Sequence, residues 1–444
     1  MPDRKKTKYI KTLRKGIDGE KMKHDFDTYT LYEIKKRNVY SVRIRVILTS
    51  PVNGEVLKPA SEKAFRRFPY YARKAVVNDH DAYELVPCEK PITVAPDDHI
   101  VRLGTPDTND LLFAVTYEGN NVYFSFAHNF CGACGAMRWI KATLWQYLTD
   151  LGNVIDSTGI MTENTPMEPA EYAEPDIDAL SHDTPVGNLE FPHDSFTLMA
   201  DYMAFMRDPN GVMGYYPISI PKTELMKYAR DNDGSPNSII SSILFRMCTR
   251  VFPDETKFSG RIACNYRTDA GCPETYRDMV RQLYVPYRIS MKDWPIENIS
   301  TVTRSRMYIQ MQPEVSWEEC RKVDAFRREI DAQPDLNSKV NYAVDHSPTT
   351  HGTPSTFVIS YVGKVEWGGL APYIQGVYTI TFGHVMVEIN ATDENFCLSF
   401  QTVYHHEKYV QEFTKILDEE GLSYTAGALT ERRLPEIILP PVAE

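Results

Sequence analysis

Residues 121–151, NVYFSFAHNFCGACGAMRWIKATLWQYLTDL, constrain the fold more than any other stretch. Val122, Phe124 and Phe126 alternate with Tyr123, Ser125 and Ala127, the period of a strand, and the alternation runs into His128 and stops. From Met137 the apolar residues fall at Met137, Ile140, Leu144, Tyr147, Leu148 and Leu151, a spacing that puts them on one face of a helix. The histidine is therefore expected at a strand-to-helix junction. Cys131, Gly132, Ala133, Cys134 and Gly135 leave little side-chain bulk there, so a ligand can approach the backbone beside an imidazole, with Gly132 and Gly135 as contact points.

The neighbouring segments read as a sheet with helices packed on it. Residues 25–37 suggest a short helix and 39–48 a strong strand. Val56, Leu57, Ala60, Ala64, Phe65 and Phe68 give a helix over 55–68 ending at Pro69. Strands are expected at 82–87, 91–95 and 111–117, the last turning back through Glu118-Gly119-Asn120-Asn121 into the histidine strand as a hairpin. Farther on, helices are expected after Pro221, over 237–252 behind a Ser235-Pro236-Asn237 start, and at 273–284, 316–332 and 405–420. Strands are expected at 256–266, 355–362, 376–382, 384–390 and 396–403.

A chain of 444 residues exceeds one ordinary core. The division expected is a basic extension over 1–24, a first lobe over 25–156, an acidic, proline-rich crossover linker over 157–191 and a second lobe over 192–444. The basic start reads as a solvated terminus. With 60 acidic against 49 basic residues, the net charge of −11 argues against a general nucleic-acid binder. No apolar run has the length of a membrane span and no signal-peptide pattern follows the basic start, so a cytoplasmic protein is expected. The eight cysteines are scattered and expected to be reduced. Cys131 and Cys134 lack a second Cys or His pair nearby, so they read as small thiols filling a turn, with no metal.

In this order the segments resemble the chloramphenicol acetyltransferase-like superfamily, which includes alcohol acetyltransferases, plant acyltransferases and condensation domains of peptide synthetases. Its fingerprint is HxxxDG, often HxxxDGxG. Here His128-Asn129-Phe130-Cys131-Gly132-Ala133-Cys134-Gly135 stands in that place, keeping the histidine and the last glycine but replacing the aspartate by Gly132 and the first glycine by Ala133. Asn265-Tyr266-Arg267 resembles an asparagine-x-arginine strand end. Ser360-Tyr361-Val362-Gly363-Lys364 resembles a stretch of the alcohol acetyltransferase branch. The resemblance implies an α/β (α+β) fold of two lobes, each a mixed sheet flanked by helices, with a tunnel between them.

It also implies a chemistry. His128 would be the general base that deprotonates a small alcohol or amine as it attacks an acyl thioester directly. Acyl-CoA would be the co-substrate, with no bound cofactor. Asn129, Ser360 and Tyr361 would place the acceptor or the oxyanion. A carrier-protein thioester is the alternative donor, and a monomer suffices. In the family the missing aspartate pairs with an arginine, for which Arg267 is the candidate. An uncompensated buried arginine costs on the order of 3–5 kcal/mol, so either another acid such as Asp269 replaces it or Arg267 is exposed. The alternative reading is a catalytically degenerate protein that keeps the tunnel for binding a ligand or partner, and Gly132 and Ala133 are the features that favour it. His405-His406 reads as surface or capping, and His346 and His351 as loop residues beside a cleft.

Overall fold

A computed structural model describes residues 28–34, 40–183, 194–208, 213–347, 355–403 and 407–440. The basic extension over 1–24, His351, His405-His406 and residues 184–191 of the linker lie outside the described residues.

The first sheet contains β1 (Ser41–Leu48), β2 (Thr93–Pro96), β3 (Phe113–Glu118) and β4 (Asn121–Ala127). The second contains β5 (Met213–Pro221), β6 (Lys257–Asn265), β7 (Val280–Arg288) and β8 (Phe357–Tyr361). The chain then crosses through β9 (Ile374–Ile380) and returns as β10 (Met386–Ala391) and β11 (Asn395–Val403). Although it comes late, β9 joins the first sheet, whose order is β9-β1-β4-β3-β2. The second runs β7-β6-β8-β10-β11-β5 before short additions at the β5 edge. Both sheets mix parallel and antiparallel pairs: β2 with β3 and β8 with both β6 and β10 are parallel, the rest of these antiparallel. The architecture is mixed α/β in two sheet-containing lobes.

Helices cover the outer faces for reasons visible in their sequences. Asn53 caps α1 (Gly54–Phe65), its side chain accepting from Glu55 N, and Leu57, Ala60, Ala64 and Phe65 face inward. Beside it runs α2 (Ala133–Asp150), whose fully buried Trp139 meets the edges of Phe65, Phe113 and Phe124 at 5.1–5.9 Å. In the second lobe, Ser235 caps the helix Pro236–Val251 through a reciprocal bond with Ser238, and its isoleucines pack on the sheet with Phe413 and Ile416 of the helix Glu407–Glu419.

The strands of the second sheet divide their residues by parity. Ile262, Leu283, Ile359, Val387 and Leu398 turn toward those helices. Arg261, Gln282, Ser360 and Glu388 turn toward the other lobe and line a cavity. The end of β9 reaches across this gap: Thr381 Oγ1 donates to Glu388 Oε1 at 2.9 Å, and Thr381 N donates to Gln401 Oε1 at 2.9 Å. The linker is also tied down, since Glu171 accepts from Arg67 Nη2 at 2.6 Å and from Tyr70 Oη at 2.9 Å.

One expected helix is absent. Residues 273–284, expected to be helical, form a turn and then β7, which pairs with β6 from Val280 to Arg288. Buried Arg281, Leu283, Val285 and Tyr287 carry the competing period of two, and a long neighbouring strand decides for it. The helices Ile296–Gln310 and Leu336–His346 and strand β5 had no sequence expectation. Among the described residues no helix is long and apolar enough to cross a membrane.

Candidate functional site

β4 delivers His128 to its carboxyl end, one residue past Ala127, and a backbone bond from His128 N to Tyr40 O at 2.7 Å fixes the exit of the chain. The small-residue turn follows and α2 begins at Ala133, with Gly132 as its cap. His128 faces a cavity of about 650 Å³ between the two sheets.

Across that cavity the second lobe brings a carboxylate to the histidine. His128 Nδ1 lies 2.9 Å from Asp278 Oδ2, on the turn entering β7. A Cβ on Gly132 would come within 2.6 Å of Asp278 Oδ1. The bare glycine is thus the space into which the distant carboxylate fits. Asp278 was missed because the segment was read as a helix, and proximity to His128 leaves no local pattern.

The pair sets the protonation of the ring. Burial alone lowers the His128 pKa, but the charge of Asp278 and its hydrogen bond outweigh that and raise it to about 9. When the ring is neutral, Asp278 holds the proton on Nδ1, which leaves Nε2 to accept one. Because the folded-state pKa stands above the ordinary 6.5, the stabilisation from this pair is complete below about 6.5 and is lost as pH rises through about 9. Asp278→Asn should flatten this part of the stability profile, measured as melting temperature against pH. Identical slopes in the two proteins would dissociate Asp278 from the titration of His128.

Arg267 and Asp269 correct the sequence expectation on both counts. Arg267 is buried, 4 % exposed, and pairs with neither acid. Its Nε donates to Thr275 O at 3.0 Å and its Nη2 to Arg277 O, while Nη1 has no hydrogen-bond partner among the described residues. Backbone carbonyls of the turn before β7 thus take over much of the carboxylate's task. Asp269 instead accepts from Ser316 Oγ at 2.7 Å.

The other expected residues divide between the cavity and its support. Asn129, Gly132, Ser360 and Tyr361 all line the cavity. Asn129 also donates to Thr30 Oγ1 at 2.7 Å, which ties the turn to the start of the described chain. Gly135 is not among the lining residues. An added Cβ there would meet Tyr276 O at 2.1 Å, so the glycine permits α2 to pack against the turn that carries Asp278. Cys134 lines the cavity and its Sγ donates to Val362 O at 3.0 Å, whereas Cys131 is fully buried. His346 stands at the end of its helix, stacked on Tyr342.

Glu388 is a second residue that the sequence reading passed over. It lies in the apolar strand β10, yet its parity with Met386 and Asn390 was a readable sign that it shares the less apolar face. Its side chain is 3 % exposed and sits on the cavity wall. Burial raises its pKa to about 7, against a smaller downward pull from the hydroxyls of Ser360 and Thr381 and the charge of His128.

No family model matches the sequence, and no curated protein matches it. Solved structures do. TRI101 of F. sporotrichioides, in complex with coenzyme A and T-2, superposes with a TM-score of 0.56 at 13 % identity, covering 90 % of this chain and 99 % of that one. The chain has the chloramphenicol acetyltransferase-like fold. A polyketide synthase associated protein 5 from Mycobacterium tuberculosis shares the fold at a TM-score of 0.54 and 10 % identity, over 90 % and 96 % of the two chains. The first condensation domain of the calcium-dependent antibiotic synthetase, with a substrate analogue, does so at 0.51 and 11 %, over 86 % and 91 %. In this chain the acid beside the histidine comes from the second lobe.

Proposed function

We propose that this protein is an acyltransferase that moves an acyl group from a CoA thioester to a small alcohol or amine, with His128 as general base. The observation that carries the reading is the His128–Asp278 pair at a cavity between two lobes, in a fold whose solved examples include a complex with coenzyme A. In the neutral His128 ring, the minority form below a pKa of about 9, Nε2 takes the proton of the acceptor X–H as it attacks the thioester carbonyl, so transfer is expected to quicken as pH rises toward 9. Collapse of the tetrahedral intermediate breaks the C–S bond, and the proton goes to the departing sulfur. Asp278 keeps the ring in the required tautomer, and the cavity holds both substrates together. A carboxylate beside His128 supports a working base over the degenerate binding protein that Gly132 and Ala133 would favour.

The first test is thermal unfolding with coenzyme A, acetyl-CoA and a longer acyl-CoA, together with thiol release from each thioester. A donor bound only by the folded protein raises the transition by mass action, and a rise of a few degrees at about 1 mM is expected. Neither a rise nor thiol release would remove the free-CoA reading and leave a carrier-protein thioester as the donor to test.

A further inference from the structure

We infer that the acceptor is an amine that enters as its ammonium ion, and that Glu388 is the carboxyl that receives it; this rests on the acyl-transfer reading and narrows its acceptor. Three observations lead there. First, Glu388 is a carboxyl on the wall of the reaction cavity with no ion-pair partner among the described residues. Its polar neighbours are hydroxyls, with Thr381 Oγ1 donating to Oε1 at 2.9 Å and Ser360 opposite Glu388 on the adjoining strand. His128 and Arg261 line the same cavity, but no cation among the described residues is in direct contact with this buried carboxyl, and a ligand ammonium would supply that contact.

Second, Glu388 and His128 line the same cavity. An ion bound at Glu388 shares that cavity with the base.

Third, the two groups match the proton count of an ammonium acceptor. An alcohol loses one proton when acylated, which one base can take. An ammonium ion loses two: one to expose the nitrogen lone pair, and one after that nitrogen has attacked. The Glu388 carboxylate takes the first and releases it to water. His128 takes the second as the C–N bond forms and returns it to the departing sulfur as the C–S bond breaks. The sum is thioester plus ammonium giving amide, thiol and one free proton.

The test pairs primary alkyl- and arylalkylamines with alcohols of the same skeleton, for example 2-phenylethylamine with 2-phenylethanol. Thiol release from acyl-CoA is measured for each, along with the melting temperature with each acceptor alone. Wild-type protein should prefer the amines in kcat/KM and be stabilised by them. Glu388→Gln, which can still accept from Thr381, should lower the amine-to-alcohol preference about 10- to 100-fold, as expected for a hydrogen bond to a charged group. Glu388→Asp should retain part of that preference. Preference for the alcohols in the wild type, or an undiminished amine preference in Glu388→Gln, would overturn the assignment. If no acceptor is acylated, the acyl-transfer reading fails separately. Stabilisation by amines that Glu388→Gln abolishes would still support the ammonium site, and its absence would remove the site as well.

Discussion

His128→Ala is expected to slow acyl transfer by about 10²- to 10⁴-fold, the range by which a positioned general base accelerates a reaction. The loss should fall on kcat more than on KM, because the imidazole meets the acceptor proton chiefly in the transition state. The fold should survive. Asp278 remains 24 % exposed to the cavity after its partner is removed and can be rehydrated there, so the melting temperature should move by a few degrees at most. Binding of the acyl-CoA donor should persist, since the histidine acts on the acceptor. A variant that turns over at nearly the wild-type rate would eliminate His128 as the base and leave the cavity without an assigned proton acceptor.

Restoring the aspartate of the family motif should do harm. In Gly132→Asp the new Cβ falls 2.6 Å from Asp278 Oδ1, and a second carboxylate is forced against the first. Overpacking costs on the order of 1–3 kcal/mol, and two like charges about 4 Å apart add a repulsion on the order of a few kcal/mol before either is protonated. Relief requires Asp278 to leave His128. Both stability and acyl transfer should therefore drop, the latter about 100-fold. Asp278→Ala made on its own should also reduce activity, because the tautomer of His128 is no longer fixed. Combined with Gly132→Asp, however, it should recover much of the lost stability, giving a coupling energy on the order of 2 kcal/mol between the sites. Strictly additive effects in this double-mutant cycle would show that Gly132 and Asp278 do not share one space.

The sequence by itself determined what depends on near neighbours. The strand over 121–127, the turn of small residues and the helix from 133 to 150 follow from a period of two, a loss of side-chain volume and a period near 3.6. Helix starts at Asn53 and Ser235 follow from their side-chain acceptors. The order of these segments was enough to indicate two lobes and to single out His128.

Tertiary structure decided what faces what. Periodicity reports which residues share a face, but says nothing of the surface across from it. Met386, Glu388 and Asn390 could be read as one face of a strand, yet only the approach of β9 and the first lobe makes that face a cavity wall with Glu388 in it. The same limit hid Asp278. Residues 273–284 carry apolar side chains compatible with either period, and the nine-residue pairing of β7 with β6 selected the strand. That choice swings the preceding turn over the small residues at 131–135, where Gly132 leaves room and Asp278 meets the ring of His128. A carboxylate needs only to arrive within hydrogen-bonding distance of the imidazole, so its place along the chain is free, and the fold supplied it from the opposite lobe.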